Sequence, residues 1–192
     1  DMEDMFHGPS SFNQDIGSWN TNYVDDMEAM FYKSPMFNQN IDSWNTANVF
    51  SMKNMFVGAS SFSSNLQAWD TSKVTDMSFM FCNATSFTSD LNLWDTSEVT
   101  DMSSMFYGTS HFFPYDLNWN TASVKDMSSM FRKTNGWYGW PDLRQWNTAS
   151  VTNMELMFSE SSFDAYNIFS DTSSVQNMKG MFSKNSYIYD SP

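Results

Sequence analysis

A single cysteine, Cys82, stands among 192 residues, which excludes an internal disulfide framework and leaves the redox compartment unread. Positive charge is scarce too. Nine Lys and Arg are scattered against 22 Asp and Glu, for a formal net charge of −13. A nucleic-acid surface needs clustered cations to displace counterions, so that class is disfavoured, as are a polyanionic partner and docking by charge onto an anionic leaflet. There is no run of about 20 apolar residues that could span a bilayer, so direct membrane insertion is not expected. The two histidines, His7 and His111, sit far apart and pair with no repeated partner. The chain lacks a nucleophile dyad, a glycine-rich phosphate loop, a His-x-x-x-His pair and an Asp-x-Asp-x-Asp-Gly calcium loop. No catalytic residue, metal site or cofactor is therefore expected, and an enzyme is the least favoured class, because similar residues recur everywhere instead of converging at one place.

What the chain has in abundance is repetition. The Met-Phe pair occurs at Met5-Phe6, Met30-Phe31, Met55-Phe56, Met80-Phe81, Met105-Phe106, Met130-Phe131, Met157-Phe158 and Met181-Phe182, at intervals of five times 25 residues, then 27, then 24. Such a period signals a solenoid or comparable array. Of the 17 methionines all but Met36 occupy two repeat positions, and six of the eight tryptophans (Trp19, Trp44, Trp69, Trp94, Trp119, Trp146) occupy a third. Stacked core layers account for them without a methionine-based metal site.

In Val99-Thr-Asp-Met-Ser-Ser-Met-Phe106 the apolar residues fall at i, i+3, i+6 and i+7, which predicts one or two helical turns per repeat. The second part of each unit, as in Phe87-Thr-Ser-Asp-Leu91-Asn-Leu-Trp94, is short and rich in turn formers and is read as a brief strand. The expected fold is thus α/β, a right-handed leucine-rich-repeat-like solenoid with one short strand and one short helical segment per repeat of about 25 residues and Val, both Met, Phe and Trp inward. Asn/Asp-Thr before each Met-Phe segment, from Asn20-Thr21 to Asp171-Thr172, suits helix N-caps, and the threonines could form a ladder. Gly8, Gly58, Asn83 and Gly108, two residues past Met-Phe, suit left-handed C-caps. Residues 1–192 form a single domain of seven to eight repeats, regular over 1–112 and irregular over 113–192. It opens inside a repeat at Asp1-Met2 and so reads as a fragment of a longer chain whose cut end exposes an apolar edge at Met2 and Met5.

The unit Trp-Asn/Asp-Thr-Ser/Ala-x-Val-Thr-Asp-Met-Ser-x-Met-Phe-x-Gly-x-Ser-x-Phe, clearest over 69–87 and 94–112, resembles the BspA-like leucine-rich repeat surface proteins, in particular the methionine-rich branch of mycoplasma lipoproteins. The resemblance implies a solenoid on cell-surface or secreted proteins, often suspected in adhesion, and implies no catalytic residues. The expected function is a non-enzymatic surface or secreted module for adhesion or for protein or glycan binding; the alternative is a structural scaffold subunit, peripheral in a larger multi-subunit assembly and held by neighbouring repeats or subunits at its ends.

Three features are candidates for sites. Phe113, Tyr115, Tyr138 and Trp140 replace polar residues on the strand side of adjacent units and are the expected partner-binding patch; the competing reading folds Trp140 back into the space opened by the two-residue insertion. Asn83-Ala84-Thr85 is the N-x-Ser/Thr acceptor for a glycan on Asn83. Two carboxylate columns, Asp76, Asp101 and Asp126, and Asp70 with Asp95, place like charges about 4.8 Å apart. Capping and hydration explain them better than calcium, since Asn45, Asn120 and Asn147 substitute in the second column.

Overall fold

The stretch 99–106, whose spacing predicts a helix, is a run of interlocked turns in the computed structural model, which describes residues 1–8, 10–112, 117–135, 142–163, 168–169 and 171–186. Met105 N–H donates back to Met102 O (3.3 Å), Tyr107 to Ser104 O (3.1 Å) and Thr109 to Phe106 O (3.2 Å). The amides in between leave the unit. Met102, Ser104, Phe106 and Gly108 donate to the carbonyls of Asp126, Ser128, Met130 and Arg132 in the following unit, at 2.8–3.0 Å. An α-helix would send these amides four residues back and keep φ negative throughout. Here φ is +54° at Ser104 and +68° at Gly108, the left-handed region expected at the third position of a tight turn. The same alternation recurs from Asp4 and Gly8 to Gly180 and Lys184.

The expected α/β solenoid with a strand and a helical segment in each repeat is therefore overturned. Among the described residues the one named helix is a 3-10 turn, Leu143–Gln145. β pairing is confined to isolated parallel bridges that connect Asp26, Ser51, Asp76, Asp101, Asp126, Asn153 and Asn177 in sequence, one residue per unit. The strand expected over 87–94 is absent because side chains intercept the backbone groups that a ladder needs. Asn13 Oδ1 accepts from Asn38 N–H and Asn38 Oδ1 from Ser63 N–H, both at 2.9 Å, while Ser89 Oγ accepts from Leu66 N–H at 2.9 Å. Trp94 N–H then turns back to Leu91 O (3.1 Å).

The period still selects the core. Val99, Met102, Met105 and Phe106 are wholly buried and Trp94 nearly so, as are their equivalents in the units on either side. Phe31, Phe56, Phe81, Phe106, Phe131 and Phe158 form a continuous column with ring centroids 5.5–5.8 Å apart. Phe31, Phe56, Phe81, Phe106 and Phe158 also each face a second phenylalanine in their own unit, as Phe106 does Phe112 at 4.1 Å. Offset ring pairs of this kind contribute ~0.5–1.5 kcal/mol each beyond the area they bury.

Polar fasteners run down the core's margin. The indole N–H groups of Trp44, Trp69, Trp94, Trp119 and Trp146 donate to Ile16, Ile41, Leu66, Leu91 and Leu117 carbonyls at 2.8–3.1 Å. The buried hydroxyls of Thr46, Thr71, Thr96 and Thr121 donate to the carbonyls of Asp70, Asp95, Asn120 and Asn147 in the next unit at 2.9–3.0 Å, and Thr148 does the same to Asp171. The threonines thus do not bond one another. Asx side chains before them close two-residue turns, Asp95 Oδ1 accepting from Ser97 N–H at 2.9 Å, and cap no helix. At the first unit Met5 is 48% exposed and Met2 half-buried.

Candidate interaction surface

Phe113, Tyr115, Tyr138 and Trp140, the expected partner-binding residues, lie outside the described residues. Their neighbours do not: Phe112 is buried beside Phe87 and Phe106, and Leu143 begins the 3-10 turn behind the Asp142 cap. Asn83, the expected glycan acceptor, is exposed in the left-handed conformation, with Nδ2 3.5 Å from Cys82 Sγ. A Cβ on Gly108 would stand 2.4 Å from Asn83 Oδ1, so only glycine lets the asparagine lie across that position. Cys82 itself is buried, and burial pushes its thiol up to about 11, far from a reactive thiolate.

The first carboxylate column coincides with the line of β-bridges. Asp26, Asp76, Asp101 and Asp126 each accept from the N–H two residues on at 2.7–2.8 Å. Asp101 stands between Asp76 and Asp126, and burial first, then those two charges, raises its pKa above the ordinary carboxylate range; the Ser103 hydrogen bonds oppose this. Ser51, Asn153 and Asn177 occupy the same line, and Asn153 Nδ2 donates to Asp126 Oδ2 at 2.9 Å. In the second column Asp70 is held below its usual range by the hydroxyl and N–H of Ser72. Among the described residues no group of three or more His, Cys, Asp or Glu could hold a metal ion. No described helix is long and apolar enough to cross a membrane.

The histidines have local partners of unlike kind. His7 Nδ1 lies 2.7 Å from Asp4 Oδ1 with its ring over Tyr32, whereas His111 Nδ1 lies 2.6 Å from the Thr85 carbonyl. The two sites share no geometry.

The same repeat is a known one. The sequence pattern of a family described as "Mycoplasma protein of unknown function, DUF285" matches residues 1–115 and again 87–191. The chain belongs to the DUF285 family. No curated protein and no solved structure matches it.

In this DUF285 chain the residues that vary most from unit to unit point outward around an interior that repeats Val, Met, Phe and Trp. Tyr23, Phe50, Phe79 and Leu93 are large, apolar and exposed, Tyr23 at 90%. The equivalents of Tyr23, Phe50 and Phe79 in adjacent units are polar, such as Asn48 beside Tyr23 and Thr75 beside Phe50. A second outward feature escapes composition altogether. Arg132 forms a 2.6 Å ion pair with Glu160, Lys133 lies 3.8 Å from the same carboxylate, and both cations stand over the Tyr107 ring at 5.7 and 5.6 Å. The signal that could have revealed it is the pair of positions after each Met-Phe, read as a column along the chain.

Proposed function

We propose that this chain is a non-enzymatic binding module of a cell-surface or secreted repeat protein, engaged in adhesion or in protein or glycan recognition. The observation that carries this reading is the division of labour within each unit. Val, Met, Phe, Trp and Thr recur inside and hold the stack, while the outward positions change freely, as in Tyr23, Asn48, Lys73 and Glu98 at one position of four successive units. A scaffold with a fixed interior and a varied exterior suits recognition, in which affinity comes from the particular side chains displayed. Kinship with the BspA-like surface proteins belongs to this reading and rests on the unit at 94–112; their strand-and-helix architecture does not carry over.

The test is antibody labelling of intact cells of the source organism, followed by adhesion of beads coated with residues 1–192 to cultured host cells. Labelling without permeabilisation and adhesion above albumin-coated beads are expected. Labelling only after permeabilisation overturns the surface reading. A second reading is a scaffold subunit docked in a larger assembly by neighbouring repeats or subunits at its ends. Light scattering separates the two, since the scaffold reading expects residues 1–192 to associate and a monodisperse monomer refutes it.

A further inference from the structure

The net charge of −13 conceals a basic edge. The two positions that follow each Met-Phe pair hold four of the nine cations, Lys33, Arg132, Lys133 and Lys184, but only one of the 22 carboxylates, Glu160. Because equivalent positions stack, these residues lie along one edge, and three of the cations fall in the last three units. Glu160 is fully engaged there: Arg132 Nη2 and Nε donate to its Oε1 at 2.6 and 3.2 Å, and Lys133 Nζ lies 3.8 Å from its Oε2. The Arg132 hydrogen bond, with help from Lys133 and Lys184, holds its carboxyl below the usual range, so it stays ionised. One carboxylate against three cations leaves the cluster with a surplus of two positive charges. Lys133 and Lys184 are the exposed members.

We propose that this edge binds a linear anionic glycan, carrying sulfate or carboxylate groups, laid along the stack axis. Three observations favour that ligand. The half-buried Tyr107 ring lies beneath both Arg132 and Lys133, which steadies two long side chains before any ligand arrives and lowers the entropy lost on binding. The two exposed cations, Lys133 and Lys184, stand two units apart along the axis, at a step of about 4.8 Å per unit. That arrangement suits a polymer with anionic groups at intervals better than a single small anion. The adjoining column presents Ser110, Asn135 and Ser186, which are exposed, uncharged and able to meet sugar hydroxyls. The total charge does not forbid such a partner, since screening over about 8 Å at physiological salt confines the field of the acidic columns. The assignment rests on the edge itself and not on the adhesion reading.

The experiment titrates residues 1–192 with a fluorescent heparin hexasaccharide, a neutral dextran of equal length and a poly-glutamate peptide, at low and at physiological salt. The variants are the double change Lys133→Gln with Lys184→Gln, which leaves the Arg132–Glu160 pair intact, and Glu160→Gln. Binding of the hexasaccharide over dextran is expected, about tenfold weaker in the double variant and several-fold tighter in Glu160→Gln, with melting temperatures of the double variant unchanged. Equal binding of dextran, indifference to the lysine pair, or weakening by Glu160→Gln overturns the proposal. Poly-glutamate bound as tightly as the saccharide also overturns it and makes the edge a protein-docking surface.

Discussion

Ser129 is the place to ask whether the Met-Phe segment is a train of turns or a helix, because the two conformations order the same pair of substitutions oppositely. Its φ is +55° and its side chain is half-buried. An L-residue in the left-handed region costs about 1–2 kcal/mol. Glycine escapes that penalty but gives up about 0.5–1 kcal/mol in extra chain entropy, so Ser129→Gly should gain about 0.5–1 kcal/mol. Ser129→Val adds a β-branched side chain where φ is positive and should lose about 1 kcal/mol or more. In a helix glycine is the worse of the two, by about 0.4 kcal/mol. For a chain of this size 1 kcal/mol corresponds to a shift of roughly 2–4 °C, so thermal melting by circular dichroism separates the variants. A valine variant that melts at or above the glycine variant refutes the turn assignment for every unit that shares this geometry.

Asp101→Asn should raise the melting temperature at neutral pH. The folded state raises the pKa of Asp101, so this group's contribution is fully present in acid and is lost as pH climbs from about 4 through the folded pKa; the asparagine, which still accepts from Ser103 N–H, removes that loss. The gap between the two proteins should close below about pH 3, and a variant less stable than the parent near pH 7 contradicts the sign. Met105→Asp places an unpaired charge in a fully buried position and should cost several kcal/mol, so an unchanged melting temperature counts against the core assignment. Gly108→Ala should destabilise by roughly 1–2 kcal/mol through its φ of +68° and the clash with Asn83 Oδ1, and in a double-mutant cycle Asn83→Gly should recover part of that loss beyond its own gain at φ +56°; no coupling places the whole penalty in the backbone. Tyr138→Ser with Trp140→Ser, followed by melting and by glycan-array binding, separates the two readings of the aromatic segment: binding lost with stability kept assigns the pair to a partner surface, and stability lost with binding kept assigns it to the core.

Burial was the part of this fold most open to a reading of the sequence, since a residue that returns every 25 positions in a stack meets its own copies, and Met102, Phe106 and Trp94 all lie inside. The local conformation was hidden by a coincidence of spacing. Turns that reach three residues back bring Val99, Met102 and Met105 to one side much as a helix does. Deciding between them requires knowing where the amides of Met102 and Ser104 go, and their acceptors lie 24 residues away. Nor do the residues at the left-handed positions announce themselves, because Asp4, Ala29, Phe79 and Leu156 are ordinary choices elsewhere. The basic edge stayed out of sight because net charge sums over all faces, and Arg132 and Lys133 meet Glu160 and Lys184 only once the units are stacked.

The interval of 27 residues between Met130 and Met157 has a consequence for how such chains diverge. Neither added residue interrupts the ladder. Met127, Ser129, Phe131 and Lys133 still donate to Asn153, Glu155, Met157 and Ser159 at 2.8–3.0 Å, in the pairing every shorter unit uses. One side of each unit therefore behaves as a fixed-length seam and the other as a hem whose length is free. Insertions that would shear a sheet out of register here alter only what is displayed, so new loops can be tried one unit at a time without disturbing the units above or below.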